Sequence, residues 1–94
     1  MSIRFSRWEL RPDRSGNWSL WQLRAAKDGK SKWQPCGHYF QWNTIGNALI
    51  YAANEEMMEK AEDEAFLFQG YAEEFKRLLD SFSEDFRRET KESQ

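Results

Sequence analysis

The stretch Leu23-Arg24-Ala25-Ala26-Lys27-Asp28-Gly29-Lys30-Ser31-Lys32-Trp33 decides how the first half of the chain folds. Asp28-Gly29 between Lys27 and Lys30 is a two-residue hairpin signal, because a type I′ turn needs positive φ at both central positions and these residues tolerate it. A reversal there places Arg24 opposite Trp33 and Trp21 opposite Cys36. The strand before it covers 18–25, with Trp18, Leu20, Trp21 and Leu23. The strand after it covers 31–41, where Pro35 marks an edge position or an irregularity. A first strand at 3–10 carries Ile3, Phe5, Trp8 and Leu10, and Pro12, Asp13, Ser15, Gly16 and Asn17 form the loop that follows. The reading is a three-stranded antiparallel sheet.

Both early strands change phase midway. Phe5 and Trp8 cannot share a face of one regular strand, nor can Leu20 and Trp21. Pairing Leu10 with Trp18 sets Trp8 opposite Leu20 and Phe5 opposite Leu23, so the two breaks fall at one level. A strongly twisted or bulged hairpin with apolar groups on both faces is expected. One layer of helices covers only one face, which leaves an exposed aromatic patch.

Beyond residue 43 the spacing becomes helical. Asn43 or Thr44 can cap a helix. Ile45, Ala48, Leu49, Ile50, Tyr51, Ala52 and Ala53 are apolar nearly all round, so that segment is expected at the centre. From Glu55 the helix turns acidic and meets solvent, and Gly70 reads as a stop or kink. Tyr71, Phe75, Leu78, Leu79, Phe82 and Phe86 then recur at helical spacing. That stripe needs cover from this sheet or from a second copy. The chain is read as one α+β domain over 1–94: antiparallel sheet at 1–42, two helices at 43–90, a frayed tail at 91–94.

Ninety-four residues fit one core, and seven Phe, five Trp and three Tyr are enough to build it. The net charge of −2 hides an asymmetry. Residues 1–53 hold eight Lys/Arg against three acids, a net of +5, and residues 54–94 hold thirteen acids against six Lys/Arg, a net of −7. Such a split points to charged partners or self-association, or it follows from helices favouring Glu. Cys36 is the only cysteine, which excludes an intramolecular disulfide. No apolar leader follows Met1 and no run approaches about 18 apolar residues, so the cytoplasm is the expected location.

No catalytic constellation stands out. His38 is the only histidine, and no glycine-rich phosphate loop, nucleophile elbow or metal-ligand spacing occurs. Cys36 and His38 lie two apart on a strand without forming a nucleophile–base pair, and Cys36 reads as structural. No enzymatic activity, cofactor or metal is expected. Two binding surfaces compete. Glu55, Glu56, Glu59, Glu62, Asp63 and Glu64 form either a solvated helix face or a negative surface for a basic partner. Trp18 and Trp33 with Arg24, Lys27, Lys30 and Lys32 suit single-stranded nucleic acid, with bases stacking on rings, or a protein hot spot. Alternatively most tryptophans form the core and Arg24 lies over Trp33 as a cation–π pair. An acidic chain disfavours general affinity for phosphate.

The Lys27-Asp28-Gly29-Lys30 turn, the following Gly37-His38-Tyr39-Phe40 and the Ile45–Ala53 helix with its acidic continuation give the chain a resemblance to small proteins of phages and other mobile elements, a group that includes anti-CRISPR and other anti-defence inhibitors. The likeness covers most of the chain without a diagnostic motif, so it assigns no site residue. It implies stoichiometric blockade of a host protein or complex in the host cytoplasm. The expected function is therefore a non-enzymatic protein-binding inhibitor or adaptor that blocks a basic, nucleic-acid-binding surface. A single-strand-binding accessory protein using the Trp/Arg sheet is the alternative. A homodimer through Tyr71, Phe75, Leu79, Phe82 and Phe86 is a third reading.

Overall fold

The computed structural model describes the backbone of residues 2–63 and 68–92 and the side chains of 2–60 and 70–91. Among the described residues, four strands precede two helices: β1 (Ile3–Phe5), β2 (Trp8–Pro12), β3 (Asn17–Ala25), β4 (Ser31–Gln41), α1 (Gly46–Asp63) and α2 (Phe68–Glu92). The strands form one antiparallel sheet in the order β1-β2-β3-β4. The α+β class and the two following helices match the sequence reading; the three-strand count does not.

The extra strand comes from a reversal at Ser6-Arg7, which makes Phe5 and Trp8 cross-strand partners. Ser6 adopts φ 57°, and it is the only non-glycine with positive φ among the described residues. Positive φ at the first central position alone is the signature of a type II′ turn. The Ser6 N–H donates to Asp85 Oδ2 of α2 at 3.2 Å, tying the turn to the helix layer. Cross-strand partners share a face, so the break in phase between Phe5 and Trp8 disappears once the chain turns between them.

Each expected register is also corrected. Leu10 pairs with Leu20, Pro12 with Trp18 and Trp8 with Gln22, because Asp13 closes the connecting loop more tightly than expected. Its Oδ1 accepts the Ser15 and Asn17 amides at 2.9 and 3.0 Å, and its own N–H donates to the Asn17 carbonyl at 2.8 Å. The β3–β4 loop holds three residues, Lys27-Asp28-Gly29, not two. Gly29 N–H donates to the Ala26 carbonyl at 3.0 Å and Ala26 N–H to the Lys30 carbonyl at 2.7 Å, with Gly29 at φ 83°. That is the three-residue loop with glycine in the left-handed position. Arg24 consequently faces Lys32, Leu23 faces Trp33 and Trp21 faces Pro35. A one-residue slip of this kind moves side chains to the other face of the sheet.

The irregularity expected near Pro35 follows directly after it. Ser19 pairs with Tyr39 but Trp21 with Pro35, so Cys36-Gly37-His38 bulge opposite Leu20, with Gly37 at φ 79°. β4 is an edge strand, and its proline, its bulge and Lys32 discourage pairing with another chain.

The core lies on one face of the sheet. Ile3, Phe5, Trp8, Leu10 and Leu20 are buried against Ala48, Leu49, Ala52 and Ala53 of α1 and Phe82 of α2. The Phe5 and Phe82 rings sit 5.2 Å apart, and each such buried side chain contributes about 1.5–3 kcal/mol. Phe75, Leu78, Leu79 and Phe86 pack half-buried around the same core. The α2 stripe is thus covered by its own sheet, the first of the two covers considered. Ile50 is exposed, so the Ile45–Ala53 run is buried on one side only. α1 is entered through a 3-10 turn at Trp42–Thr44, in which the Thr44 hydroxyl donates back to the Gln41 carbonyl at 3.3 Å. Gly70 lies inside α2 and does not interrupt it. No helix among the described residues is long and apolar enough to cross a membrane.

Candidate functional site

Alternation along the paired strands separates two surfaces. The inner face carries Trp8, Leu10, Trp18, Leu20, Gln22 and Arg24, and the helices stand on it. The outer face carries Arg4, Glu9, Arg11, Ser19, Trp21, Leu23, Trp33 and Tyr39, aligned by the pairs Arg4–Glu9, Glu9–Trp21, Arg11–Ser19, Leu23–Trp33 and Ser19–Tyr39. Glu89 of α2 comes close enough to Arg4, at the β1 edge of this face, to act on its charge.

Glu9 lies at the middle of the outer face and is only 3% exposed. Its two oxygens accept from Arg4 Nε at 2.6 Å and Arg11 Nε at 2.5 Å. Burial by itself would raise its pKa, yet the hydrogen bonds from the two guanidiniums outweigh it and hold the carboxyl below the usual carboxylate range. The same arginines cover the tryptophans: Arg11 lies 4.0 Å from the Trp21 ring centroid and Arg4 lies 5.4 Å from that of Trp33. Trp21 Nε1 donates to Ser19 Oγ at 2.9 Å, which fixes the ring's orientation. Tyr39, 65% exposed, stands at the far side of this floor. The result is a preset array of two guanidiniums, two indoles and a phenol around one buried carboxylate. Trp, Tyr and Arg are the residue types that dominate protein-binding hot spots.

The residues singled out from the sequence fall elsewhere, in part. Trp18 lies on the inner face against Trp42 (5.4 Å between rings), and Trp42 in turn against Phe86 (6.0 Å). Trp33 lies on the outer face, so Trp18 and Trp33 are not brought together. Arg24 does not cover Trp33; it donates to Gln22 Oε1 at 2.8 Å and pairs with Glu59 at 3.4 Å on the inner side. Lys27, Lys30 and Lys32 cluster at the β3–β4 hairpin, and no described carboxylate forms an ion pair with them.

The acidic helix turns half of its charge inward. Glu56 accepts the Trp8 indole N–H at 2.8 Å and Glu59 accepts from Gln22 at 3.2 Å, while Glu55 lies near the Tyr51 hydroxyl and helps raise its pKa. Glu55, Glu56 and Glu59 are half-buried. The side chains of Glu62 and Asp63, and all of Glu64, lie outside the described residues.

Beside β4, a notch of about 260 Å³ is lined by Trp8, Gln22, Gln34, Cys36, Tyr51 and Glu55 among others. Burial pushes the Cys36 thiol up from its usual pKa, and burial together with Glu55 does the same to Tyr51. Both groups therefore stay protonated near neutrality, which suits packing rather than nucleophilic attack. His38 leans on Tyr51, with rings 4.5 Å apart.

Arg4, Glu9, Arg11, Trp21 and Tyr39 were not among the residues picked out from sequence. The Glu9–Arg11 spacing of two was a legible signal, since both side chains of such a pair point the same way on a strand. Arg4 joins them only through the hidden turn. The chain matches no protein family, no curated protein and no solved structure.

Proposed function

We propose that this protein is a non-enzymatic, protein-binding inhibitor or adaptor, and that the outer face of its sheet makes the decisive contact. The observation that carries this reading is the array around Glu9, where rigid aromatic side chains and held guanidiniums face solvent on the side away from the helices. Preset side chains lose little freedom on binding, which favours affinity. The acidic helix is the weaker surface, because Glu56 and Glu59 already have partners within the chain. Stoichiometric blockade of a host complex in the cytoplasm, the behaviour implied by the resemblance to anti-defence proteins, is compatible with such a face.

Single-strand binding is disfavoured by two details. The Trp21 and Trp33 rings are already covered by guanidiniums, and a buried carboxylate sits where phosphates would approach. The test is affinity capture from a host-type lysate after nuclease treatment, using wild type, Tyr39→Ala and a Trp33→Ser/Tyr39→Ala variant. A protein retained stoichiometrically by wild type and lost from the double variant, with the fold intact by circular dichroism, is the expected result. Retention unaffected by both variants would overturn the outer-face reading. Recovery of nucleic acid alone would favour the accessory-protein alternative.

A further inference from the structure

We infer that the notch between β4 and α1 binds a small amino acid as its zwitterion, with the ammonium on Glu55 and the carboxylate on Arg24. The notch lies on the inner side of the sheet, apart from the outer face proposed above to bind a partner. Its walls come from three elements: Gln22 and Arg24 from β3, Gln34 and Cys36 from β4, Tyr51 and Glu55 from α1. Burial keeps Cys36 and Tyr51 protonated near neutrality, which leaves one guanidinium and one carboxylate as the charges of the lining. These two do not neutralise each other. Glu55 and Glu59 share a face of α1 one turn, about 5.4 Å, apart, and Arg24 reaches for Glu59. Among the described residues no Lys or Arg forms an ion pair with Glu55, although it is half-buried. Arg24 keeps capacity too. Its Nη2 stands 3.4 Å from Glu59, longer than an ordinary N–H···O bond, and both side chains are about half exposed. Lys32 lies directly opposite Arg24 in the register, and like charges so placed repel. A carboxylate seated at Arg24 relieves that repulsion, and an ammonium at Glu55 supplies the missing partner. The bulge at Cys36-Gly37-His38, with Gly37 at φ 79°, bends the β4 wall, as bulges beside binding sites do. The volume of about 260 Å³ falls just below that of drug-sized pockets, the scale of a small metabolite.

Other occupants fit less well. A phosphate or other simple anion would face Glu55, and a simple amine would face Arg24 and Lys32. A metal ion lacks ligands, since no group of three His, Cys, Asp or Glu converges among the described residues. A zwitterion meets each charge with its opposite, while the Gln34 amide can donate to it or accept from it.

The experiment is a titration followed by NMR through the side-chain amides of Gln22 and Gln34. The probes are the standard L-amino acids, β-alanine and γ-aminobutyrate, then the amide and the N-acetyl derivative of the best binder. Each derivative lacks one of the two charges and should bind wild type about tenfold more weakly than its parent. Glu55→Gln and Arg24→Gln should each weaken the parent about tenfold as well, with the fold intact by circular dichroism. In Glu55→Gln the N-acetyl derivative should bind as well as the parent, because nothing remains to read the ammonium. A merely structural role for Glu55 would leave that discrimination in place. No binding of any probe, a derivative that binds wild type as tightly as its parent, or variants that bind like wild type would each overturn the inference. The comparison of derivatives needs only wild-type protein, so it decides the matter even where a variant fails to fold. None of these outcomes bears on lysate capture through Trp33 and Tyr39, so the outer-face reading stands or falls separately.

Discussion

Trp8 and Trp21 stand on opposite faces of one sheet, and their surroundings differ in kind. Trp8 is fully buried, and its indole N–H donates across to Glu56 of α1, so its polar atom joins the sheet to the helices. Trp21 is half-buried, its indole N–H stays within β3 at Ser19, and its ring lies beneath Arg11. The inner face is ordered by contacts to other elements, the outer face by contacts among neighbouring strands. A side chain of the first kind carries stability; one of the second kind is set in place and still presents a surface. Substitutions should divide along this line.

Phe82→Ala tests the inner side most severely. Phe82 is 1% exposed and packs on Phe5, so the variant should lose about 3–5 kcal/mol in chemical denaturation. Tyr39→Ala on the outer face should stay within about 0.5 kcal/mol of wild type. Equal losses at the two sites would erase the distinction between the faces.

Glu9→Gln breaks the rule from the other side, because Glu9 is an outer-face residue that is buried. Gln keeps one acceptor oxygen but turns an NH2 toward the other guanidinium and carries no charge, which should cost about 1–3 kcal/mol. Replacing Arg4 and Arg11 by Gln as well should recover part of that, since no guanidinium is then left unpaired beside the buried position. If Glu9→Gln were silent in denaturation, the array would not be held by its carboxylate.

Acid should unpick the two faces together. Glu9 is held below the usual range by Arg4 and Arg11 against the opposing effect of burial. Glu74 is held down to about 2 by hydrogen bonds, first from Arg77 and then from Lys60. The folded state binds these protons more weakly than the unfolded chain does. Their contribution is therefore complete above the unfolded carboxylate value of about 4.3 and is lost as pH falls from there toward about 2. Stability measured against pH should decline across that window, and Glu74→Gln should flatten its lower part. Lys60 belongs to α1 and Glu74 to α2, so that variant reports on the helix layer, as Glu9→Gln reports on the sheet.

Much of the inner face was legible in the sequence and little of the outer. The α2 stripe from Tyr71 to Phe86 follows helical spacing, and local periodicity is enough to read it. The hairpin at Asp28-Gly29 was visible as a position but not as a length, since glycine serves both two- and three-residue loops. That single residue decides whether Trp33 faces Arg24 or Leu23. Glu9 between two arginines was invisible because its neighbours come from strand pairing. The pairing in turn depends on a turn that contains neither glycine nor asparagine.

That turn offers the smallest and sharpest test. Ser6 holds φ 57° with a side chain attached, a conformation that costs an L-residue about 1–2 kcal/mol and glycine almost nothing. Against this, glycine loses about 0.5–1 kcal/mol more conformational entropy on folding. Ser6→Gly should therefore be neutral or stabilising by up to about 1.5 kcal/mol, and the bond from the residue 6 N–H to Asp85 survives because it belongs to the backbone. Ser6→Val should be destabilising, since a β-branched residue tolerates positive φ poorly. The turn places Arg4 alongside Glu9 on the outer face and Phe5 against Phe82 on the inner, so both faces depend on it. A Ser6→Gly variant less stable than wild type by more than the entropic cost would mean that the serine side chain itself holds the reversal. The strain at φ 57° would then not be what limits the turn.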